Sequence, residues 1–300
     1  MEEASVTYDK LQFRGQSIIN GLLDDIAYFP NEDTPFTGKV EDFFENGQKK
    51  VELTFKDGKR DGLSTYWYEN GQKESETNWK NGSPDGLWAK WSKNGQNEQE
   101  TNCKDGKRDG LTTYWYENGQ KEQEGNYKDD KKDGLTTLWY ENGQKQNEGN
   151  WKDGSPDGLW AKWSKNGQKE SEQNYKDGKR DGLTTYWYEN GQKKVERNFK
   201  DGKQDGLTTL WYENGQKREE GNFKDGKEDG PVTKWYRNGQ KQEKGNWKDG
   251  KLMSAEAWKP NGEKCPVTNV NDGNGVLVLY NDDGTELVRR TYKDGYPVFD

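Results

Sequence analysis

The chain has no histidine among its 300 residues. That excludes His-based triads and His-ligated metal centres, and it removes the side chain that most readily acts as a base near neutral pH. Cysteine is nearly absent too: Cys103 and Cys265 lie far apart, without CxxC or metal-ligand spacing, and read as incidental. Only 27% of the residues are hydrophobic and 34% are charged, so a thick two-layer core is out of reach. No stretch approaches the ~18 apolar residues of a membrane span. The start MEEASVTYDK lacks a basic-then-apolar signal, so the chain as written is expected in the cytoplasm, or outside it if a leader was trimmed. The 47 basic and 55 acidic residues are interleaved and sum to -8. With no basic stripe, nucleic acid is not an expected partner, and the acidic balance disfavours a membrane or lipid surface.

What the chain does have is a period. The tripeptide NGQ recurs at Asn46, Asn70, Asn94, Asn118, Asn142, Asn166, Asn190, Asn214 and Asn238, 24 residues apart each time. A period of this size with Gly-rich punctuation means a repeat array whose units bury their apolar surface against their neighbours. The composition alone would fit disorder, but the 13% of aromatic residues sit at fixed places in the period. Within one unit, Leu63–Tyr68 and Lys73–Trp79 have strand-like residues and are too short, and too closely bounded by Asn-Gly and Asp-Gly, for helices. Each unit is then a β-hairpin, and loops such as KDGKRDG at 56–62 lead into the next.

Asn-Gly favours a two-residue type I′ turn. That register puts Leu63 and Trp67 on one face with Glu74, Glu76 and Asn78. A three-residue loop with a Gly bulge pairs Tyr68 with Gln72 instead and exchanges the faces. It then groups Leu63, Thr65, Trp67, Ser75, Thr77 and Trp79 against Tyr66, Tyr68, Glu74, Glu76 and Asn78, and is preferred because it separates apolar from charged residues. Nine of the fourteen tryptophans stand three residues before the turn position, from Trp67 to Trp258. Trp79, Trp151 and Trp247 share a second position with Phe55, Tyr127, Tyr175, Phe199 and Phe223, while Trp88 and Trp160 belong to a variant unit, GLWAKWSKNG. With leucines from Leu63 to Leu207 in register, a ladder of Leu and aromatic residues on one face is the expected core. The pattern decays at both ends, which suggests an N-terminal cap at 1–37, a hairpin array at 38–260 and degenerate repeats forming a C-terminal cap at 261–300. SPDGLWAKWSKNGQ recurs at Ser83 and Ser155, so a three-unit block looks duplicated.

Units of the type EGNYKDGKRDGLTTYWYENGQK resemble the MORN repeat (membrane occupation and recognition nexus), and more closely its bacterial variant, grouped with YwqK-like antitoxin modules. Gly125, Asn126, Tyr127, Lys128 and Asp129, followed by Asp133 and Gly134, match the aromatic and glycine spacing. Asp61, Asp109 and Asp181 stand where typical units have His before Gly. The resemblance, over roughly 38–260, implies an all-β fold: an elongated antiparallel β-meander of tandem 24-residue hairpins in a single-layer twisted sheet. It also implies use as a scaffold or binding surface.

Two alternating glutamates per unit, such as Glu74 with Glu76 or Glu122 with Glu124, do not single out one acid and one base; a solvated face accounts for them. Asp57 with Asp61, and Asp105 with Asp109, could offer oxygens to calcium, but Asp-Gly is also ordinary turn chemistry. No catalytic, cofactor or metal site is assigned, and an enzyme is not expected. Tyr66, Tyr114 and Tyr186, with Tyr68, Tyr116, Tyr140, Tyr188, Tyr212 and Tyr236, form the candidate partner-binding face, because tyrosine is enriched at interfaces; cross-strand packing is the alternative. The expected function is a non-enzymatic scaffold that binds a protein, with an antitoxin-like module as a special case. The alternative is a secreted or cell-surface module that binds glycans or cells. Self-association through open sheet edges is a further expectation.

Overall fold

The computed structural model describes residues 6–14, 18–19, 22–23 and 26–298. Half of the MEEASVTYDK start and parts of the apolar segments IIN and LLDDIAYF lie outside the described residues. The fold is all-β, with a three-residue 3-10 turn at Tyr8–Lys10 as the one helical piece among the described residues. The chain divides into two bodies, Met1–Lys145 with Trp151–Gly154 and Gln146–Asn150 with Ser155–Asp300.

In the first body Val6–Thr7 runs parallel to Gly38–Phe43, which pairs antiparallel with Lys49–Lys56. Hairpin then follows hairpin: Gly62–Trp67 with Lys73–Lys80, Ser83–Trp91 with Asn97–Lys104, Lys107–Trp115 with Lys121–Lys128, and then Lys131–Trp139. The second body repeats this scheme from Ser155–Trp163 to Lys251–Ala257 and adds a three-stranded sheet of Gly275–Tyr280, Glu286–Lys293 and Tyr296–Val298.

The turn is the three-residue loop. Tyr68 N donates to Gln72 O and Gly71 N to Tyr68 O, both at 2.9 Å, with Gly71 at φ 82° in the left-handed region glycine tolerates. The faces, however, are not those preferred from the sequence. Lys73 pairs with Trp67 but Ser75 pairs with Tyr66, so Glu74 is an extra residue in the return strand. Such a bulge turns the remainder of the strand over. Trp67 and Trp79 therefore stand on opposite faces. One face carries Leu63, Thr65, Trp67, Lys73, Glu76 and Asn78; the other carries Ser64, Tyr66, Ser75, Thr77 and Trp79. The same slip, at Glu122, occurs between Lys107–Trp115 and Lys121–Lys128.

The expected Leu and aromatic core is corrected as well. Leu63, Leu87, Leu111, Leu135, Leu159, Leu183 and Leu207 are all 41–46% exposed. Their cross-strand neighbours are short and polar: Leu63 faces Asn78, Leu87 faces Asn102 and Leu111 faces Asn126. The buried rows are threonine, Thr112 on one face and Thr113 on the other, with equivalents such as Thr136, Thr137, Thr184 and Thr185. Where Trp160 enters the first of these rows, it lies against a glycine. A Cβ on Gly149 would come within 2.3 Å of the Trp160 ring.

Buried hydrophobic clusters lie instead toward the chain ends. One joins Leu11, Ala27, Phe36, Val40, Val51, Leu53 and Phe55. The other joins Leu252, Ala255, Ala257, Cys265, Val270, Leu277, Val278 and Tyr292.

Candidate functional site

Four kinds of link tie one hairpin to the next, and each uses a residue of the period. The tyrosine at the start of the turn reaches across: Tyr68 Oη donates to Trp91 O at 2.9 Å, and Tyr116, Tyr188, Tyr212 and Tyr236 do the same to Trp139, Trp211, Trp235 and Trp258 at 2.7–2.8 Å. Burial pushes the phenols of Tyr68, Tyr116 and Tyr212 above the ordinary tyrosine value, and that of Tyr236 up to about 12. A phenol kept protonated is kept as a donor.

The turn asparagine does two jobs. Asn70 Oδ1 accepts from Gln72 N at 3.1 Å and closes its own turn, while its amide donates to Lys93 O at 2.7 Å in the next. Asn118, Asn190 and Asn214 repeat the outward bond at 2.8–3.0 Å.

The third link explains the tryptophans. Lys73 lies 5.6 Å over the Trp91 ring and ion-pairs with Glu76; Lys121 lies 5.8 Å over Trp139 and pairs with Glu124. Lys193, Lys217 and Lys241 sit 5.9 Å over Trp211, Trp235 and Trp258. These tryptophans thus stay on a charged, half-open face because a cation covers their rings.

The fourth link is the aspartate before glycine. Asp61 Oδ2 accepts from Asn81 N at 3.1 Å, and Asp181 Oδ2 from Asp201 N at 3.2 Å, in the next loop. The first aspartate of each loop, Asp57, Asp105 or Asp177, sits at φ 48–49° as the turn residue.

These links place the candidate tyrosines. Tyr68, Tyr116, Tyr188, Tyr212 and Tyr236 are braces between hairpins, and Tyr140 holds the same turn position, its amide 2.8 Å from Gln144 O. Tyr66 and Tyr114 sit on the face opposite Trp67 and Trp115; Tyr66 Oη accepts from Arg60 at 3.0 Å and Tyr114 Oη from Gln99 at 3.2 Å. Tyr186 occupies the equivalent place beside Arg180.

One feature escaped the sequence reading. The variant unit has Ser92 where its neighbours have the bracing tyrosine, and Ser164 repeats this 72 residues on. The signal was visible as WSKNG against WYENG. The other missed feature is the exposed leucine row.

Among solved structures, the chain is similar to one described as "Crystal Structure of TcdB2-TccC3", at 10% identity and a TM-score of 0.17, over 90% of this chain and 18% of that one. Among curated proteins nothing matches. The family model of the MORN repeat variant matches at 36–57, 60–81, 108–129, 132–153, 156–177, 180–201, 204–225 and 228–249. These eight segments cover more than half of the 300 residues and follow the hairpin period, and the chain belongs to the MORN repeat variant family.

Proposed function

We propose that this chain is a non-enzymatic repeat scaffold that binds a protein partner, an antitoxin-like module being one special case. The exposed leucines carry the reading. In the first body Leu63, Leu87, Leu111 and Leu135 share one face, and in the second Leu159, Leu183 and Leu207 do so, all at least 41% exposed. A single exposed leucine needs no explanation, but the same side chain at the same place in successive hairpins offers a partner a repeated apolar contact. The glutamates support a role other than catalysis: Glu76, Glu124, Glu196 and Glu220 each pair with the lysine three residues earlier, one structural role repeated. On this reading the segments 1–37 and 261–300 act as caps.

The test is affinity capture with the full chain and with a Leu111→Ser, Leu135→Ser double variant whose circular dichroism matches. Loss of a protein captured by the parent chain supports the leucine row as the contact. An unchanged captured set overturns it.

A further inference from the structure

The variant unit at 83–106 lacks three of the links that join its neighbours. Ser92 stands in the bracing position, and its hydroxyl turns back on its own loop, within reach of Asn94 Oδ1 and 3.2 Å from Gln96 O. The Asn94 amide donates to Gln96 Oε1 at 3.2 Å, whereas the amides of Asn70 and Asn118 reach the following turn. At the position of Lys73 and Lys121 stands Asn97, which donates to Glu100 at 3.0 Å. Trp115 is thus without both the tyrosine hydroxyl that Trp91 and Trp139 receive at their carbonyls and the lysine that covers their rings. The result is a cleft of about 510 Å3 lined by Ser92, Asn94, Asn97, Trp115, Tyr116 and Glu117, among others. Its size suits one side chain or small ring system.

We propose that this cleft binds the phenol side chain of a tyrosine in an extended segment of a partner polypeptide, its hydroxyl donating to Trp115 O and its ring lying beside the Trp115 indole. The chain itself supplies the precedent. In five other hairpins the chain's own tyrosine makes this bond at 2.7–2.9 Å. The carbonyl and the adjoining indole are therefore already arranged for a phenol, and preorganisation lowers the cost of binding one from outside. An indole face with a polar rim also stacks on sugars, but the carbonyl points to a donor at the end of a planar ring. The second serine gives a graded comparison. Ser164 opens a cleft of about 530 Å3 at Trp187, yet Lys169 remains 5.7 Å over that ring, so the Trp187 site should be the weaker. The proposal rests on the protein-binding reading for the class of partner, but it concerns the turn end of the leucine face, four residues along the strand from Leu111.

The experiment uses the full chain, 15N-labelled on tryptophan, titrated with an acetylated and amidated Gly-Ser pentapeptide carrying one central tyrosine. The Trp115 indole signal should shift saturably, the phenylalanine peptide should bind about fivefold more weakly for want of one hydrogen bond, and Trp187 should respond at higher concentration. Ser92→Tyr should restore the internal brace, raise the melting temperature and abolish the Trp115 response. The peptide titration reads Trp115 directly and the capture experiment reads the leucine row, so failure of one and failure of the other are told apart. No shift at Trp115, equal binding to Ser92→Tyr, or a response to cellotriose in place of the peptide would each overturn the proposal.

Discussion

The two ends of the chain and the hairpins between them are held together by different means. Toward the ends, Val40, Leu53, Leu252 and Val278 are at most 1% exposed and pack in ordinary hydrophobic clusters. In the hairpins the leucine row from Leu63 to Leu207 is exposed, threonine is buried, and stability is divided among hydrogen bonds and stacked cations repeated every 24 residues. A repeat cannot rely on a deep core, because each unit meets only its neighbours. The sharpest test contrasts the two leucine classes. Leu252→Ala should cost about 2–5 kcal/mol, while Leu111→Ala should stay within about 0.5 kcal/mol, both read from urea melts. Equal costs would break the distinction.

Alkaline pH acts on both kinds of region. Tyr236, a brace, is pushed up to about 12 by burial, and Tyr280, at the C-terminal cluster, is raised to about 12 chiefly by its hydrogen bond to Cys265. Below pH ~10 both phenols are protonated whether the chain is folded or not, and their contribution is constant. As pH rises from ~10 toward 12 the unfolded chain loses its protons first, so the folded state loses up to about 1.4 kcal/mol per pH unit for each tyrosine. Thermal melts should fall over that window, and Tyr236→Phe should flatten part of the fall. A profile that Tyr236→Phe leaves unchanged would remove that brace from the account.

A single brace in mid-array matters less. Tyr116→Phe deletes one hydrogen bond, worth about 1 kcal/mol. Hydrogen exchange should accelerate first at the strand Lys131–Trp139 that receives it. Uniform acceleration throughout the first body would mean that its hairpins are not the local units supposed here.

The period, the hairpins and the three-residue loop were legible because Asn-Gly and Asp-Gly turn chemistry is local. The bulge at Glu74 was not. In KESETNW each register places some polar residues on each face, and an extra residue leaves no mark on composition. Reading tryptophan as core followed from that slip, since the sequence does not show that Lys73 will lie over a ring 18 residues ahead. The tyrosine row was legible as a row, but its partner is a backbone carbonyl 23 residues on, which carries no side-chain signature. Ser92 was visible as a departure from the repeat, and it acquires meaning only once the role of Tyr68 is known.

The smallest expected effect bears on why the hairpins bury threonine at all. Thr112 is fully buried, and its hydroxyl has no hydrogen-bond partner; the same holds for Ser64, Thr136 and Thr184 in the equivalent places. An unpaired buried hydroxyl is a cost. What the row uses from threonine is therefore its β-branched shape, which suits a strand packed between neighbours. Val232 fills the same position in the second body at 2% exposure, which shows that the hydroxyl is dispensable there. Thr112→Val should accordingly stabilise the chain by up to about 1 kcal/mol, measured by urea melts. Thr101 is the control: its hydroxyl accepts from Gln99 at 3.0 Å, so Thr101→Val loses a bond and should gain nothing. If Thr112→Val is instead destabilised, the hydroxyl holds an ordered water. The threonine rows would then be polar networks, more distant from the hydrophobic clusters of the chain ends than their burial suggests.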